Sequence, residues 1–183
     1  MDNGASSYRR FLNGDQSAFD EIMQELFHSL VFFINRYVKD IHTAEDLAID
    51  TFSDLIVHRH RYNFKVTLKT YLFMVGRSRA LDYLRHRKVL NFVELSEAES
   101  IASDEQSLEE LMLVDERKRV VNTAIAQLPE DMRVAIHLIY FENMTYEEAA
   151  KVMKKNKKQV DNLLYRAKKE LRIILGEDGE QLL

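Results

Sequence analysis

The chain has 183 residues, of which 46% are hydrophobic and 31% are charged, and its formal net charge is −4. This composition excludes an intrinsically disordered protein, and the absence of Cys excludes disulfides, thiolate nucleophiles and Cys-based zinc sites. Because no 18-residue apolar run or signal-like N-terminus occurs, we expect a cytoplasmic protein without membrane insertion.

The abundance of helix formers predicts the fold class. Leu, Glu, Lys, Ala and Arg are frequent, whereas five Gly and one Pro leave little turn chemistry for repeated hairpins. A chain of this length can bury one modest core or two small ones. We therefore expect an all-α protein made of two small helical domains.

The charges are segregated into four blocks along the chain. Residues 15–54 hold nine Asp/Glu against two Lys/Arg, and residues 59–88 hold nine Lys/Arg against one Asp. Residues 94–116 hold nine Asp/Glu and no Lys or Arg, and residues 144–172 hold nine Lys/Arg against four Asp/Glu. Any single block is often only a solvated helix face. The order acid, base, acid, base is harder to explain in that way.

Two helices are predicted within the first acidic block. Asn13-Gly14-Asp15 is a turn that ends in an N-cap, and apolar residues then recur at helical spacing over residues 18–38. Thr43 to Asp46 can close a capping box for the second helix. The inner stripe of this helix is predicted to consist of Leu47, Ala48, Thr51, Phe52, Leu55 and Ile56.

The first basic block is predicted to be a loop followed by a helix. The loop covers residues 58–66, and Thr67 can cap a third helix that ends near Lys88. Two histidines in the loop, His58 and His60, could be metal ligands, but the chain offers no Cys or nearby spaced third ligand.

Aromatic rings are interleaved with the positive charges of this block. That combination is typical of surfaces on which bases stack on rings while phosphates follow a positive groove. Tyr71 and Tyr83 fit the inner stripe of the predicted helix, whereas Tyr62 and Phe64 lie in the predicted loop. We therefore expect Tyr62 and Phe64 to contact bases.

The second half of the chain begins after a stretch without periodicity. Residues 94–103 mix Glu, Ser and Ala, and we assign residues 89–116 to an acidic linker between two domains. Apolar residues at helical spacing restart at Leu108 and continue to Leu128. Pro129 then opens a helix that extends from Glu130 to about Phe141.

The basic C-terminal stretch has the layout of a helix-turn-helix. Thr145 and Glu148 match a capping box for a helix over residues 146–153, and a polar break at residues 154–156 precedes a second helix that Gly176 ends. One side of the second helix is apolar and holds Val160, Leu163, Leu164, Ala167 and Leu171. The opposite side holds Lys158, Asn162, Tyr165 and Lys169.

The outward side of the second helix suits the DNA major groove. Lys and Arg neutralise phosphates, whereas Asn and Arg can form paired hydrogen bonds with adenine and guanine. The alternative is an amphipathic surface helix with a solvated lysine face. The capped short helix, the break and the cluster of Asn162, Tyr165 and Arg166 favour the DNA-binding interpretation.

Four segments together carry a resemblance to a known family. They are AEDLAIDTF (44–52), TLKTYLFMVGRSRALDYLRHRK (67–88), LPEDMRVAIHLIYFENMTYEEAAKVM (128–153) and VDNLLYRAKKELR (160–172). In order and spacing they resemble regions 2 and 4 of bacterial sigma-70-type sigma factors of the small extracytoplasmic-function group. The match extends from Ala18 to Leu175.

The resemblance implies a protein that is not an enzyme and needs no cofactor. Such a sigma factor binds core RNA polymerase, recognises the minus-10 and minus-35 promoter elements and assists promoter opening. Region 2 would cover residues 1–88 and region 4 residues 117–175, with a tail at residues 176–183. The linker would follow the RNA exit path, where its carboxylates could mimic the charge of RNA.

The resemblance also assigns partners to the surfaces. The acidic second helix would dock on the β′ clamp helices of polymerase, and the β flap is a second expected contact. An anti-sigma factor is a further candidate partner. The expected polymerase-binding residues are Glu45, Asp46, Asp50 and Asp54.

Promoter DNA would meet the two basic blocks, as duplex at the minus-35 element and as melted non-template strand, with a flipped base, at the minus-10 element. The expected minus-10 residues are His60, Arg61, Tyr62, Phe64, Lys69, Arg77, Ser78, Arg85 and Lys88. The expected minus-35 residues are Lys157, Lys158, Gln159, Asn162, Tyr165, Arg166 and Lys169.

Six positions depart from the family pattern, and three of them are in region 2, where Tyr71 stands for a frequent Trp, Ser78 for a common Asn and Arg79 for a common Leu. Asp161 stands where a basic or neutral residue is usual, and its carboxylate would repel phosphates unless it accepts from a cytosine amine or pairs with Lys157 or Lys158. In the turn, Lys154 stands where Gly is frequent and Lys155 where a buried aliphatic residue is common.

Two other classes of function compete with a sigma factor. A stand-alone helix-turn-helix regulator would explain residues 144–172 and would leave the first basic block and the linker without a role. A metal or acid/base enzyme would use the many carboxylates and the six His, yet no pairing of a nucleophile with a base is recognisable.

Overall fold

The computed structural model describes residues 4–94 and 116–176, and every regular element within these ranges is a helix. This confirms the predicted all-α class. Two compact units are formed, one drawn mainly from residues 1–103 and the other mainly from residues 104–183. The predicted linker segment 95–115 and the first residues of the helix predicted to restart at Leu108 lie outside the described ranges.

Within residues 4–94, four α-helices surround a common core in the first unit. They are α1 (Ala5–Leu12), α2 (Ser17–Val38), α3 (Ile41–Val57) and α4 (Leu68–Glu94). The predicted helix over residues 18–38 is confirmed as α2, which packs against the other three helices. Gly76 lets α4 approach α2 closely, because a Cβ at this position would lie 2.9 Å from Leu30 Cδ1. The bulkiest core side chains of the unit include Tyr8, Phe33 and Phe73.

The start of α3 differs from the prediction. Asp40 is the N-cap, and its Oδ1 accepts a hydrogen bond of 2.7 Å from the backbone N–H of Thr43. The predicted capping box beginning at Thr43 is therefore wrong, because an Asp three residues earlier already satisfies that N–H. Ile56 is also exposed, although the remaining residues of the predicted inner stripe are buried or half-buried.

Helix α1 was not predicted from the sequence. Its eight residues are too few to show a helical period, and its stability comes from contacts made later in the chain. The Tyr8 hydroxyl, which is fully buried, donates to the carbonyl oxygens of Leu55 (2.9 Å) and Arg59 (3.2 Å). The pKa of Tyr8 is raised to about 12, mainly by burial, so this hydroxyl remains a donor at neutral pH.

The predicted loop between α3 and α4 is confirmed. Helix α3 ends at Val57, and Thr67 Oγ1 accepts a hydrogen bond of 3.2 Å from the N–H of Thr70, as expected for a capping residue. Helix α4 continues to Glu94 and so extends beyond the predicted end near Lys88.

The second unit is also helical throughout its described residues. It contains α5 (Glu116–Ala126), α6 (Glu130–Ile136), a π-helical turn (His137–Phe141), α7 (Tyr146–Met153) and α8 (Lys157–Leu175). Pro129 precedes the first residue of α6, so the predicted helix after this proline is confirmed, with a π-helical last turn that the sequence did not reveal. Helix α8 packs against α5 and α6.

Candidate nucleic-acid and partner interfaces

The outward face of α8 is the clearest candidate interface in the second unit. Val160, Leu164, Ala167 and Leu171 are buried and Leu163 is half-buried, as predicted. On the other side, Asn162, Tyr165 and Arg166 are exposed, and Tyr165 is 73% exposed. The remaining predicted minus-35 residues are also exposed, namely Lys157, Lys158, Gln159 and Lys169. This face is therefore accessible to a ligand along most of the helix.

The turn before α8 fixes where the helix begins. Asn156 is the N-cap, with its Oδ1 accepting from the N–H of Gln159 at 2.8 Å, and the Gln159 Oε1 accepts in return from the N–H of Asn156 at 2.8 Å. Upstream, the predicted capping box of α7 is confirmed, because Thr145 and Glu148 bond each other's backbone N–H groups. The side-chain oxygen of Gln159 thus serves the cap, and its amide NH₂ is the group left for DNA.

Lys154 adopts the left-handed backbone conformation in this turn, with φ of +54°. A Gly would adopt it without steric cost, which is the reason that the departure from Gly matters here. Lys155, where the family often has a buried aliphatic residue, is half-buried, and its Nζ lies 3.0 Å from Asp131 Oδ2. The turn between α7 and α8 therefore contains two lysines at positions that are unusual for the family.

Lys157 has a partner within the second unit. Its Nζ lies 2.6 Å from Glu147 Oε1, and this hydrogen bond raises the pKa of Lys157. Glu147 thus forms the ion pair of Lys157, while the charge of Asp161 also raises the pKa of Lys157 without forming an ion pair with it. A depression of about 200 Å³ on the second unit is lined by Lys155, Gln159, Asn162, Leu163 and Arg166.

In the first unit, the loop 58–66 holds an aromatic cluster. The Tyr62 ring centroid lies 5.5 Å from that of Tyr8, 4.6 Å from that of Phe64 and 5.2 Å from that of Tyr71. Tyr62 is 3% exposed, and its hydroxyl donates to the Val66 carbonyl oxygen at 2.8 Å. We therefore correct the assignment of Tyr62 as a base contact, because its ring is already part of the core.

Phe64 remains a candidate for stacking on a base. Its ring is half-buried, and its backbone φ of +60° lies in the left-handed region, which is rare for a bulky residue. Such strain persists only where neighbouring groups hold the residue in place, and here the Tyr62 and Tyr8 rings do so.

The other predicted minus-10 residues differ in their exposure. His60, Arg61, Arg85 and Lys88 are exposed, while Lys69, Arg77 and Ser78 are half-buried. Lys69 Nζ lies 5.7 Å from the Phe73 ring centroid, and Arg85 contacts Asp82. The Nε atom of Arg77 is buried without a hydrogen-bond partner among the described residues. The side chain of Arg77 is thus less exposed than its assignment as a DNA contact predicts.

The acidic face of α3 separates into two parts. Asp46 and Asp50 are exposed, and Glu45 is half-buried with its Oε2 3.8 Å from His42 Nδ1. Asp54, in contrast, accepts from Arg79 Nη2 at 2.7 Å and lies 3.4 Å from Arg61 Nη1.

The ion pairs of Asp54 change the role that we assign to this residue. Its Oδ1 also lies 3.0 Å from His58 Nδ1. Burial opposes ionisation, but the Arg79 hydrogen bond and the charges of Arg79 and Arg61 outweigh it, so the pKa of Asp54 lies below its ordinary value. Asp54 is thus already paired within the first unit, and we leave it out of the proposed polymerase contacts.

Arg79 is not among the site residues that the sequence predicted. It links α4 to α3 through Asp54, and its Nη1 lies 3.7 Å from Asp50 Oδ2. The spacing of Asp50 and Asp54 at i and i+4 indicated a shared helix face, but no sequence signal named the cation opposite them.

The described residues hold neither a candidate metal site nor a candidate membrane span. Within residues 4–94 and 116–176, no three metal-ligating side chains come together, so His58 and His60 gain no third ligand there. In the same ranges no helix is long and apolar enough to cross a bilayer.

Comparison with known proteins identifies relatives of both units. Residues 28–89 match the family described as Sigma-70 region 2, and residues 118–171 match Sigma-70, region 4. The RNA polymerase sigma-H factor of Pseudomonas aeruginosa is 31% identical over 172 residues, covering 88% of both chains. The ECF RNA polymerase sigma factor SigM of Bacillus subtilis is 29% identical over 155 residues, covering 85% of this chain and 93% of SigM.

A solved structure resembles the fold. The sigma factor RpoE of Bartonella quintana, in complex with the anti-sigma factor NepR, has a TM-score of 0.63 at 24% identity. The likeness covers 87% of this chain and 98% of the RpoE chain.

Proposed function

Since the chain belongs to the extracytoplasmic-function group of sigma-70 RNA polymerase sigma factors, we propose how its surfaces are divided among the partners of such a factor. The protein is a sigma factor for transcription initiation that binds core RNA polymerase and promoter DNA. A stand-alone helix-turn-helix regulator is not favoured, because relatives match both halves of the chain. What we propose is the assignment of residues to each task.

Helix α8 reads the minus-35 element. The observation that carries this proposal is the position of Asn162 and Arg166 on the exposed face of a capped helix that follows a helix-turn-helix turn. Asn162 and Arg166 can bond base edges, whereas Lys158 and Lys169 serve phosphates. Lys157 contributes charge in competition with its Glu147 partner.

The loop 58–66 and α4 bind the melted minus-10 element. Phe64 supplies a ring for base stacking, and His60, Arg61, Arg85 and Lys88 supply exposed polar and positive groups. The half-buried residues Lys69, Arg77 and Ser78 form the floor of this surface.

Asp46 and Asp50 on α3, together with Glu45, dock on the β′ clamp helices of polymerase. The charge and exposure of these residues support the docking proposal, since Asp46 and Asp50 lie one helical turn apart on the same face.

We assign residues 1–88 to region 2, residues 89–116 to the acidic linker, residues 117–175 to region 4 with its β-flap contact, and residues 176–183 to a tail. The proposed activity consists of binding alone, and no residue is assigned a catalytic role.

An anti-sigma factor is included as a further partner. The Bartonella quintana relative was solved in complex with one, and that partner class is extended to this chain by analogy. Competition between polymerase and a purified anti-sigma candidate for the chain would test this extension.

The test of the docking proposal is a charge reversal. The variant Asp46→Lys with Asp50→Lys should lose binding to core polymerase in size-exclusion and titration experiments at moderate salt, because like charges would then meet basic partner residues. Glu25→Lys, on the exposed side of α2, is the matched control and should retain binding. Unchanged binding by the double variant would move the docking surface elsewhere, provided that circular dichroism shows an intact fold.

A further inference from the structure

Helix α1 has no role in the assignments above. It lies before residue 28, where the match to region 2 begins. Yet it is joined to the start of the proposed minus-10 loop, because the Tyr8 hydroxyl binds the carbonyl oxygens of Leu55 and Arg59. Whatever fixes the position of α1 therefore also fixes groups beside the loop.

Arg9 projects from α1 onto the loop. Its guanidinium carbon lies 4.8 Å from the centroid of the Phe64 ring. Phe64 is the strained residue of the loop, with φ of +60°, and its ring centroid lies 6.1 Å from that of Tyr8. Helix α1 thus contacts Phe64 through two consecutive side chains.

A second guanidinium also lies over an aromatic ring. Arg59, at the start of the loop, has its guanidinium carbon 4.9 Å from the Phe11 ring centroid of α1. Arg9 and Arg59 are both exposed, and neither has a carboxylate partner within the described part of the chain. Two exposed positive charges therefore stand on rings where α1 meets the loop.

The neighbouring Arg10 is different and provides a comparison. Its guanidinium donates to Asp15 Oδ2 at 2.6 Å and to Glu21 Oε2 at 2.9 Å, so its charge is balanced within the domain. Both arginines lie in the last turn of α1, where a cation favours the helix dipole. Only Arg9 combines that position with an aromatic ring and an unbalanced charge.

The geometry points to α1 as a further part of the single-strand-binding surface, with Arg9 binding a backbone phosphate of the melted non-template strand next to a base stacked on Phe64. Arg59 supplies a second phosphate contact beside it. Aromatic stacking combined with adjacent arginines is the chemistry by which proteins hold single-stranded DNA. This inference rests on the proposed function of the loop.

The test uses holoenzyme reconstituted from core polymerase and the full-length chain. The probe is a fluorescein-labelled single-stranded oligonucleotide with the non-template minus-10 segment of a promoter that this holoenzyme transcribes. Anisotropy titrations at several KCl concentrations are compared for wild type, Arg9→Gln, Arg9→Lys, Arg10→Gln and Phe64→Leu. Circular dichroism and polymerase binding establish that each variant is folded and incorporated.

Arg9→Gln should weaken binding about fivefold at moderate salt and reduce the slope of log affinity against log salt by about 0.7, the value for one single-strand phosphate contact. Arg9→Lys should keep the wild-type slope, and Arg10→Gln should stay within about twofold of wild type. Phe64→Leu should lose affinity without a change in slope, because stacking releases no counterions.

Two results would overturn the inference. If Arg9→Gln matches Arg10→Gln, or weakens binding with an unchanged salt slope, Arg9 makes no phosphate contact, and a loss confined to Phe64→Leu would still support the minus-10 loop. If Phe64→Leu and Arg9→Gln both bind as wild type does, the loop itself is not the single-strand site, and that part of the proposed function fails as well.

Discussion

Helix α8 and the loop 58–66 carry similar residue types but make them available to different degrees. On α8, Asn162, Tyr165 and Arg166 extend from a rigid helix into solvent. In the loop, the Tyr62 ring is buried and Arg61 lies beside Asp54. The comparison teaches that the helical period determines which side chains of a helix are exposed. In a loop, by contrast, tertiary contacts determine which side chains are exposed.

The largest expected effect is on the free energy of unfolding, which should depend strongly on the packing around the loop and little on the exposed face of α8. Tyr8→Ala should lower the free energy of unfolding by about 3–5 kcal/mol, because it removes a buried ring and the hydrogen bonds to Leu55 and Arg59. Tyr165→Ala on α8 should change it by less than about 0.5 kcal/mol, since that ring is largely exposed. Urea denaturation followed by circular dichroism measures both, and similar losses would contradict the contrast drawn here.

The next effect concerns sequence readout on α8. Asn162→Ala or Arg166→Ala should cost about 1–3 kcal/mol in binding of the holoenzyme to a promoter with its minus-35 element, and much less on a scrambled element. Lys169→Ala should weaken binding evenly on both and reduce the salt slope by about 1. Equal losses on native and scrambled elements would show that the first two residues do not read bases.

A smaller effect is expected from the ion pairs beneath the loop. Asp54→Asn should reduce the free energy of unfolding at pH 7 by about 1–2 kcal/mol through the weakened bonds to Arg79 and Arg61. Asp46→Asn, in the exposed part of the same face, is the control and should change it little.

The pH dependence of stability gives the same pair of variants a second readout. Since the pKa of Asp54 is lowered in the folded state, its contribution is present above the ordinary Asp range and is lost as the pH falls through the folded-state value. The difference between wild type and Asp54→Asn should therefore shrink on acidification. A constant difference down to low pH would contradict the ion-pair explanation.

The smallest expected change in stability comes from the left-handed backbone conformation, which occurs once in each of the two regions. Lys154, in the turn before α8, and Phe64, in the loop, both have positive φ. Lys154→Gly should stabilise the protein by about 0.5–1 kcal/mol, since relief of strain exceeds the entropy that Gly adds to the unfolded chain. Phe64→Gly should destabilise it, because the ring contacts are lost. Thermal unfolding of both variants tests this opposite response.

Sequence patterns predicted the helical parts of this molecule well and the loop poorly. The apolar stripe of α8 and the capping box at Thr145 and Glu148 depend on residues three or four positions apart, and both are present. The burial of Tyr62 depends on Tyr8, which lies 54 positions earlier and belongs to a helix too short to show a period. The ion pairs of Asp54 could not be predicted for the same reason, since Arg79 is 25 residues away.

Helix α1 also has a consequence for the order in which the chain folds during synthesis. It is synthesised before α2, α3 and α4, but an isolated helix of eight residues is unstable in water. The carbonyl groups that accept from Tyr8 come 47 and 51 residues later, so these two hydrogen bonds can form only after that part of the chain has been made. The first unit can therefore complete its fold only after the loop 58–66 has been translated.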